Sequence, residues 1–541
     1  MGKKYSIVLR MLMALLLSLS CSTTDSSTLK PTGSPHADTG EHSGGDSGST
    51  PADDTGTTLP TCEDCTPSET SVSLTIDPEL LISDPSTTVN NPLKGFMTSY
   101  LWGAPANDFP DQMEFLYLPM SDLWSASGDT LSTGLEPLLV AAAERNHHAV
   151  LRVYIDYPTR PSGLPTHLEG IVPCSTYTDH GGGCSPDYDH PDLVDAMLGL
   201  IAALGAQYDG DTRLGLVQVG LLGFWGEWHT WPHAEWFPSD ATQTAVLSAF
   251  DTAFEITQLQ ARRIAANVLD LRIGFHDDSF AYSTLGDVGW YFLPGLVSGG
   301  GADRWQSVPI GGEVRPELQS SVFSDEYVLG PLAQDINDCI DQTHASYLLN
   351  YYAFNGSGTG YLGVDRDRAE LAALQMGYQL ELTAASVSVT GLLNETIDLT
   401  VDLDLSQTGV APFYYPLFIA VESPELETTV VSDIDLSSIQ PGENQMVSLS
   451  LGRVSATVLN GPITVRLKSP ILQASQAIAL ATTTPWPASD SSTQLRWDLG
   501  CDDAGVSYSI GHVIGSTAEG CDCVCDVDST FRTCHGEPCS Y

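Results

Sequence analysis

Residues 214–229 have the sequence Leu-Gly-Leu-Val-Gln-Val-Gly-Leu-Leu-Gly-Phe-Trp-Gly-Glu-Trp-His. The run from Leu214 to Leu222 is nearly continuous in apolar residues, which predicts a parallel β-strand buried on both faces. Small and aromatic residues then surround one carboxylate, Glu227, which lies between Trp225 and Trp228. Because apolar walls disfavour the charged form of a carboxylic acid, the stretch predicts a protonated glutamate at the carboxyl end of a strand. The alternative is a buried glutamate in a structural ion pair.

Strand candidates alternate with helical stretches on both sides of this segment. The helical candidates are 134–146, 191–208 and 242–261. The eight strand candidates are 95–101, 115–123, 149–156, 215–223, 263–268, 272–278, 308–314 and 346–353. This alternation predicts a (β/α)₈ barrel of the TIM type over residues 72–378. The connection between the fifth and sixth strands is too short for a full helix.

The period of the apolar pattern changes to two near residue 380. Ile397 to Leu405 alternate apolar and polar side chains, and similar strands are predicted at 417–421, 446–451, 463–467 and 477–481. This pattern predicts an all-β, immunoglobulin-like sandwich over residues 379–484. Residues 485–541 form a Cys-rich tail, whose six cysteines leave the disulfide pairing open.

The N-terminus has the pattern of an export signal. Three basic residues precede the apolar run Met11–Leu17, and Cys21 follows it. The segment resembles a bacterial lipoprotein signal with Cys21 as the lipidated residue, although Ser18 stands where such signals usually carry Leu. We therefore expect an outer-membrane or cell-surface lipoprotein; the alternative is ordinary cleavage and release. Ser22 follows the cysteine, which favours outer-membrane sorting.

A Ser/Thr/Gly/Asp-rich tether is predicted over residues 22–71, since the segment has few large apolar side chains. Cys62 and Cys65 within it favour a local disulfide over a metal site. No other stretch is long and apolar enough to span a membrane.

The whole chain of 541 residues has 21 Lys+Arg against 68 Asp+Glu, a formal net charge of -47. This balance excludes nucleic acid and anionic membrane surfaces as favoured partners of the folded part. A membrane partner is expected only through the lipid anchor, and the oligomeric state is open.

The long loop 157–190 contains Cys174 and Cys184, which we predict to form a disulfide. Loops of this length inside a compact domain are often functional. Tyr177, His180, Tyr188 and His190 make the loop a candidate wall of a cleft, and a decoration without function is the alternative.

Polar residues cluster at the ends of the predicted strands. Period two places Arg152, Tyr154 and Asp156 towards the barrel interior and Leu151, Val153 and Ile155 towards the helices. The fourth strand ends at Glu227 and the seventh at Glu313. Beside these two glutamates we predict a set of substrate-binding residues: Arg152, Tyr154, Asp156, Trp225, Trp228, His229, His276, Asp277, Asp278, Asn350 and Tyr352.

Two carboxylates from the fourth and seventh strands fit the machinery of a retaining glycosidase. One protonates the leaving oxygen and the other attacks the anomeric carbon, with the carboxyl groups about 5–5.5 Å apart; about 6.5–9.5 Å indicates inversion. We expect Glu227 to be the more enclosed and the acid. We expect Glu313 to be the nucleophile, kept ionised by a cation such as Arg152.

Several motifs carry a resemblance to a known family. They are Asn91-Pro-Leu-Lys-Gly-Phe96, Leu151-Arg-Val-Tyr154, Gly223-Phe-Trp-Gly-Glu-Trp228, Ile273-Gly-Phe-His-Asp-Asp-Ser-Phe280, Ile310-Gly-Gly-Glu313 and Met376-Gly-Tyr378. With these motifs, residues 72–480 resemble the paired domains of unknown function 4874 and 4832. The resemblance implies a sugar-active barrel followed by a β-sandwich, and supplies no substrate. In the best-known clan of retaining barrels, an Asn precedes the acid/base Glu and binds the sugar 2-hydroxyl. Here Gly226 has that position, so either a neighbour such as Arg152, His229 or His276 takes that role or the chemistry differs.

Two functions from different classes remain open: a secreted or surface-anchored glycoside hydrolase acting on a poly- or oligosaccharide, and a non-catalytic polysaccharide-binding surface protein. A weaker third reading is a metal-dependent hydrolase using His276, Asp277 and Asp278. Adjacent residues of a strand point to opposite faces, which argues against one ion held by all three. We predict neither a cofactor nor a resident metal.

Overall fold

The computed structural model describes residues 70–497, with gaps at 106, 265–266, 329–333, 355–359 and 392–395, and five short strands between residues 500 and 532. The predicted signal with Cys21, the pair Cys62 and Cys65, and the side chains of the tail cysteines lie outside the described residues. Among the described helices, none combines the length and the apolar character needed to cross a membrane.

Eight parallel strands form the central sheet, and we number them along the chain. They are β1 (Gly95–Met97), β2 (Met113–Pro119), β3 (His148–Tyr154), β4 (Leu214–Gln218), β5 (Gln258–Ala261), β6 (Ile273–Phe280), β7 (Ile310–Val314) and β8 (Ala345–Leu349). Their order is β1-β8-β7-β6-β5-β4-β3-β2, and a parallel bridge between Thr98 and Glu114 joins the two ends. The sheet is therefore closed, and the predicted (β/α)₈ barrel is confirmed.

Helices surround the barrel. The longer ones are α1 (Glu136–Glu144), α2 (Pro191–Tyr208), α3 (Asp240–Ala253), α4 (Phe292–Ser298), α5 (Ile336–Thr343) and α6 (Val364–Gln375), and single turns lie at Met120–Leu123, Asp325–Val328 and Tyr351–Phe354. The described part of 262–272 contains no helix, as the short connection predicts.

The two faces of β3 follow the predicted alternation. Leu151, Val153 and Ile155 are buried in one apolar cluster with residues of α2. Tyr154 belongs to a second cluster inside the barrel, and Arg152 is also turned inwards, where it contacts Gln218 and Asp278. The outer face of β3 is covered by helices and is therefore apolar. The polar side chains of the strand lie on the inner face, where they can form hydrogen bonds and ion pairs with one another.

The predicted fifth strand, 263–268, is wrong, as is the end of the predicted helix 242–261. The helix ends at Ala253 and β5 runs from Gln258 to Ala261. Between them the Asp209 carboxylate accepts hydrogen bonds from the backbone N–H groups of Glu255, Ile256 and Thr257. These hydrogen bonds hold residues 255–257 in a non-helical turn after the helix. The strand β5 is not recognisable in the sequence because it is too short and too polar to form an apolar run.

The sandwich consists of two four-stranded antiparallel sheets. Its long strands are β9 (Leu380–Gly391), β10 (Thr396–Gln407), β11 (Phe418–Glu422), β12 (Asn444–Ser455) and β13 (Ile463–Lys468), with short strands at Val430–Val431 and Thr493–Leu495. Along β10, Ile397, Leu399, Val401, Leu403 and Leu405 are buried. The predicted period of two is thus confirmed.

Two segments differ from the prediction. Strand Thr70–Thr75 pairs with β9, so residues 72–75, expected in the barrel, belong to the sandwich. The predicted strand 477–481 is reduced to an isolated bridge of Ile478 with Leu467. The Asn91 side chain takes up the next backbone groups, because it accepts from Ala479 N at 2.8 Å and donates to Ala479 O at 3.0 Å. The remaining short strands are Ile82–Ser83, Cys174–Tyr177, Gly183–Pro186, Thr482–Thr483, Gly500–Asp503, Val506–Ser509, Val513–Ser516, Asp522–Cys525 and Phe531–Arg532.

The sandwich closes the amino-terminal end of the barrel. Gln258 Nε2 donates to Tyr414 O at 2.7 Å, and His148 Nε2 lies 3.1 Å from Ile471 O. Lys94 is buried at this junction, donates to Leu374 O and Tyr378 O at 3.1 Å each, and burial lowers its pKa to about 7. The carboxyl ends of the strands remain the open mouth of the barrel.

Candidate active site

The loop after β4 carries Glu227 to the barrel mouth through a strongly bent backbone. Leu221, Gly223 and Trp225 have φ values of 69°, 78° and 55°. A Cβ atom on Gly220 would overlap the carbonyl oxygen of Val153, and one on Gly223 would overlap that of His229. Both positions require glycine, since the backbone of this loop lies against β3 and against its own returning segment. Strained backbone of this kind is typical of functional sites.

Glu227 lies between the side chains of Arg152 and His229. Its Oε1 lies 3.4 Å from Arg152 Nη1, and its Oε2 lies 3.4 Å from His229 Nε2. The Glu227 side chain keeps 19% of its surface exposed. The predicted apolar enclosure between two tryptophans is therefore wrong.

The two tryptophans beside Glu227 have different environments. Trp225 is partly buried at the mouth. Trp228 is buried outside the barrel, donates from Nε1 to Val219 O at 2.7 Å and packs against Phe237. Trp228 therefore supports the loop and cannot contact a ligand in the mouth, contrary to the prediction.

Arg152 is the centre of a buried charge network. Its Nη2 donates to both carboxylate oxygens of Asp278 at 3.0 Å, and its Nε donates to Gln218 Oε1 at 2.7 Å. Burial opposes ionisation of Asp278, yet the positive charges of Arg152 and Arg262 hold its pKa well below the usual value. Burial also opposes the charge on Arg152, but the negative charge of Asp278 raises its pKa. The two therefore form a fixed ion pair.

His276 and Asp277 face opposite sides of β6. His276 Nδ1 lies 2.9 Å from Asp278 Oδ1, and burial lowers the pKa of His276. Asp277 instead accepts from Thr284 Oγ1 at 2.7 Å and from Ser279 N at 2.9 Å. The three residues of the metal reading do not converge. Within the described part of the chain, no three His, Cys, Asp or Glu side chains are arranged around a common metal position.

Glu313 follows two glycines at the end of β7. Gln319 Nε2 donates to its Oε1 at 3.1 Å, and no described cation lies within ion-pair distance of it. Its enclosure by the protein raises the pKa of Glu313 well above the usual value, and the negative charges of Asp278 and Glu227 raise it further. The expected environments are thus reversed: Arg152 contacts Glu227, and Glu313 is the carboxyl group that favours its proton.

Several predicted site residues lie apart from the two glutamates. Tyr154 packs edge-to-face against Tyr117 and Tyr157. Asp156 is buried below the loop after β3, where Tyr177 OH donates to it at 2.6 Å, and burial raises its pKa to about 6. It supports that loop instead of facing the mouth.

The predicted eighth strand, 346–353, is too long. β8 ends at Leu349, so Asn350 follows the strand, and Tyr352 lies in the turn Tyr351–Phe354. Asn350 is buried and donates to Tyr361 OH at 3.1 Å. The Tyr352 ring also lies against Tyr361, at 5.1 Å. Neither residue has a described contact with Glu227 or Glu313.

The loop after β3 forms a hairpin of Cys174–Tyr177 and Gly183–Pro186. Cys174 and Cys184 are disulfide-bonded, which confirms the predicted pairing. With Tyr177 bonded to Asp156, the hairpin is fastened to the barrel and stands beside the mouth as a wall.

Three residues of the site were not predicted. Gln319 bonds Glu313; Arg262, after β5, approaches Asp278 Oδ2 to 3.5 Å; and Tyr117 OH donates to Trp225 O. The alternation of Phe115 and Tyr117 on β2 could have indicated Tyr117. Gln319 lies in a loop whose sequence has no comparable signal.

Comparisons with known proteins give structural similarities only. No family model matches the chain, so the resemblance to the paired domains of unknown function stays a prediction. No curated protein matches it either. Endo-glycoceramidase II from Rhodococcus sp. is similar in structure, with a TM-score of 0.33 and 12% identity over 66% of this chain and 97% of that one. A glycoside hydrolase family 5 enzyme from Prevotella bryantii B14 has a TM-score of 0.32 and 13% identity over 54% of this chain and 99% of that one. Similarity at this level identifies no substrate for this chain.

Proposed function

We propose that the chain hydrolyses glycosidic bonds with Glu227 and Glu313 as its two carboxyl groups. The observation that carries the proposal is that the two carboxyl groups lie at the same barrel mouth in different electrostatic environments. The negative charge of Glu227 contributes to raising the pKa of Glu313, while Glu227 itself lies beside Arg152. Glycoside hydrolysis needs one protonated and one ionised carboxyl group facing the same bond. Carboxyl groups whose environments differ in this way support that division of roles.

The electrostatics favour Glu313 as the acid and Glu227 as the nucleophile, the reverse of the assignment from the sequence. Glu313 would protonate the leaving oxygen as its bond to the anomeric carbon breaks. Glu227 would form a bond to the same carbon and give a covalent glycosyl-enzyme. Glu313, now ionised, would then take a proton from the water that releases the sugar and restores both groups.

Arg152 has a positioning role in this proposal. Its bonds to Asp278 and Gln218 leave Nη1 directed at Glu227. A buried guanidinium with fixed partners keeps its position as the charge of Glu227 is consumed and restored, which is the property expected of a preorganised site.

A glycan panel with matched variants tests the function and the roles. We expect wild-type protein to hydrolyse a member of the panel, and Glu227→Gln and Glu313→Gln to lower kcat by about 10²–10⁴-fold. The loss in Glu313→Gln should be least for activated aryl glycosides, which need little protonation, and the loss in Glu227→Gln should be similar on every substrate. The opposite pattern would restore the assignment from the sequence. Binding without hydrolysis by the wild type would instead favour a polysaccharide-binding protein.

We also propose that the protein is exported and anchored through Cys21. The signal-like N-terminus supports this, and the bond between Cys174 and Cys184 suits an oxidising compartment. Labelled fatty acid should be incorporated by the wild type and lost in Cys21→Ser. Equal labelling of the two proteins would contradict the anchor.

A further inference from the structure

A line of four aromatic rings leads outward from the mouth. Tyr157 and Trp225 have ring centroids 6.4 Å apart, Trp225 and His180 are 5.0 Å apart, and His180 and Trp231 are 6.0 Å apart. We call these four residues the aromatic row. The ring planes are tilted against each other by 53–76°, so neighbouring rings meet by edge contacts. The Arg160 guanidinium lies over the Tyr157 ring, 4.3 Å from its centroid.

The inner part of the aromatic row is attached to the candidate catalytic residue. Trp225 lies 5.9 Å from the ring of His229, whose Nε2 is 3.4 Å from Glu227. The Trp231 N–H donates to His229 Nδ1 at 3.3 Å. His229 therefore links Glu227 to the outer end of the row through one side chain.

Trp231 is the exposed end of the row. It keeps 68% of its surface exposed, although it is among the largest apolar side chains. Its backbone is fixed, because His180 Nε2 lies 2.9 Å from Trp231 O and the N–H is bonded to His229. A large exposed ring on a fixed backbone offers a flat apolar face to a ligand, and binding then has to order only the side chain.

The hairpin that supplies His180 is also rigid. The disulfide between Cys174 and Cys184 closes it, and Tyr177 OH donates to the buried Asp156 carboxylate after the end of β3. The other side of the row is supported by His233, which stacks on Trp236 at 3.7 Å and pairs with Asp179 at 2.9 Å. Both sides of the outer row are thus fixed to the barrel.

The charges around the row select the class of ligand. Asp179 and Glu235 have side chains that are 43% and 69% exposed at its outer end, and Glu227 lies at its inner end. Among the described contacts, cations lie only near the inner end, where Arg160 is 4.3 Å from the innermost ring and Arg152 is 3.4 Å from Glu227. The two exposed carboxylates at the outer end repel an acidic glycan there. The apolar faces of neutral sugar rings suit aromatic stacking, and their hydroxyl groups can bond the interspersed imidazoles and carboxylates.

We infer that Trp231 and His180 form an outer subsite for a neutral sugar ring, so that the substrate is a neutral oligo- or polysaccharide chain that extends from the carboxyl pair along the aromatic row. The inference rests on the proposed function, since it names the substrate class of that same site. Each step along the row is similar to the length of one sugar ring, so a single glycosyl unit at Glu227 would leave the outer subsite empty.

The first test compares substrates of two lengths. For the sugar that wild-type protein cleaves, kcat/KM is measured on the p-nitrophenyl monoglycoside and on the hexasaccharide. In Trp231→Ala the ratio of the hexasaccharide value to the monoglycoside value should fall about tenfold, which corresponds to about 1.4 kcal/mol. Trp290→Ala is the matched control, because Trp290 is 73% exposed and its ring contact is Tyr291, outside the row. An equal ratio in the two variants overturns the inference and leaves the proposed function intact.

The second test needs no hydrolysis. Full-length Glu313→Gln protein is run in native gels containing xylan, glucomannan or mixed-linkage β-glucan, with alginate as the acidic comparison. We expect retardation by a neutral polymer, its loss when Trp231→Ala is added, and its retention with Trp290→Ala. Retardation by alginate alone, or by no polymer, overturns the inference. Trp231-dependent retardation without any hydrolysis by wild-type protein would instead refute the proposed function and retain the subsite.

Discussion

Replacing Arg152 by Met should lower the free energy of unfolding, and this test of the charge network at the mouth requires no known substrate. Arg152 and Asp278 both have side chains that are 3% exposed, and they share a bidentate contact at 3.0 Å. Removing one partner of a buried ion pair costs about 3–5 kcal/mol, because the other charge remains buried without compensation. Arg262 stays 3.5 Å from Asp278, so we expect a value near the lower end, about 3 kcal/mol.

The loss of stability in Arg152→Met should depend on pH in a definite direction. Arg152 holds the pKa of Asp278 below its usual value, so in the wild type the pair's contribution is present above the unfolded pKa, about 3.9, and is lost as the pH falls. In Arg152→Met, the burial that opposes ionisation of Asp278 remains and the largest charge that offsets it is removed, so we expect the pKa of Asp278 to rise. The stability deficit of the variant should therefore be largest near neutral pH and shrink below about pH 5.

The assay is chemical denaturation followed by tryptophan fluorescence at several pH values. Arg453→Met is the control: Arg453 is exposed and bonded to Thr396 Oγ1 on the sandwich, so its loss should cost about 0.5 kcal/mol or less. The double variant Arg152→Met/Asp278→Asn should cost less than the sum of the single variants. A deficit in Arg152→Met no larger than the control, or one independent of pH, would refute the reasoning.

Three further predictions concern the support of the mouth. Burial raises the pKa of Asp156 to about 6, so Asp156 stabilises the fold below its unfolded pKa, and this stabilisation is lost as the pH rises through about 6. The melting temperature of the wild type should therefore fall over this pH range, and that of Asp156→Asn should lack this fall. Gly223→Ala places a Cβ against His229 O at φ 78° and should destabilise by about 1–3 kcal/mol. Gly461→Ala is the control and should change stability little, because Gly461 has open space around it and a φ of -113°. Cys174→Ser should cost about 2–3 kcal/mol in the chain-entropy model, and a denaturation midpoint equal to the wild type would contradict this.

The sequence predicts the fold well where burial fixes the pattern. β3 and β4 are apolar on their outer faces, and β10 alternates over its whole length, so period and run length identify them. β5 was misplaced because Gln258–Ala261 has four residues, of which two are glutamines. Those glutamines are turned to polar partners: Gln260 Nε2 donates to Pro309 O at 3.2 Å and Gln258 bonds Tyr414. Such partners come from distant parts of the chain, and a local pattern cannot show them.

The positions of Glu227 and Glu313 could be predicted from the sequence, but their environments could not. The prediction assigned Glu227 an apolar enclosure because tryptophans flank it in the chain. In the structure the left-handed residues of that loop turn Trp228 outwards and bring Glu227 to Arg152. Glu313 is enclosed by residues from other loops, such as Gln319. The sequence neighbours of a carboxyl group therefore do not show which side chains surround it in the fold.

The most direct test of the central claim is the hydrolysis of one glycan panel by wild-type protein, Glu227→Gln and Glu313→Gln, measured by released reducing ends. Each variant should first show wild-type thermal stability or better, so that any loss concerns the site. The account predicts that the wild type cleaves a neutral glycan and that each variant is slower by about 10²–10⁴-fold. Wild-type turnover in both variants would contradict the claim that this pair is the catalytic machinery.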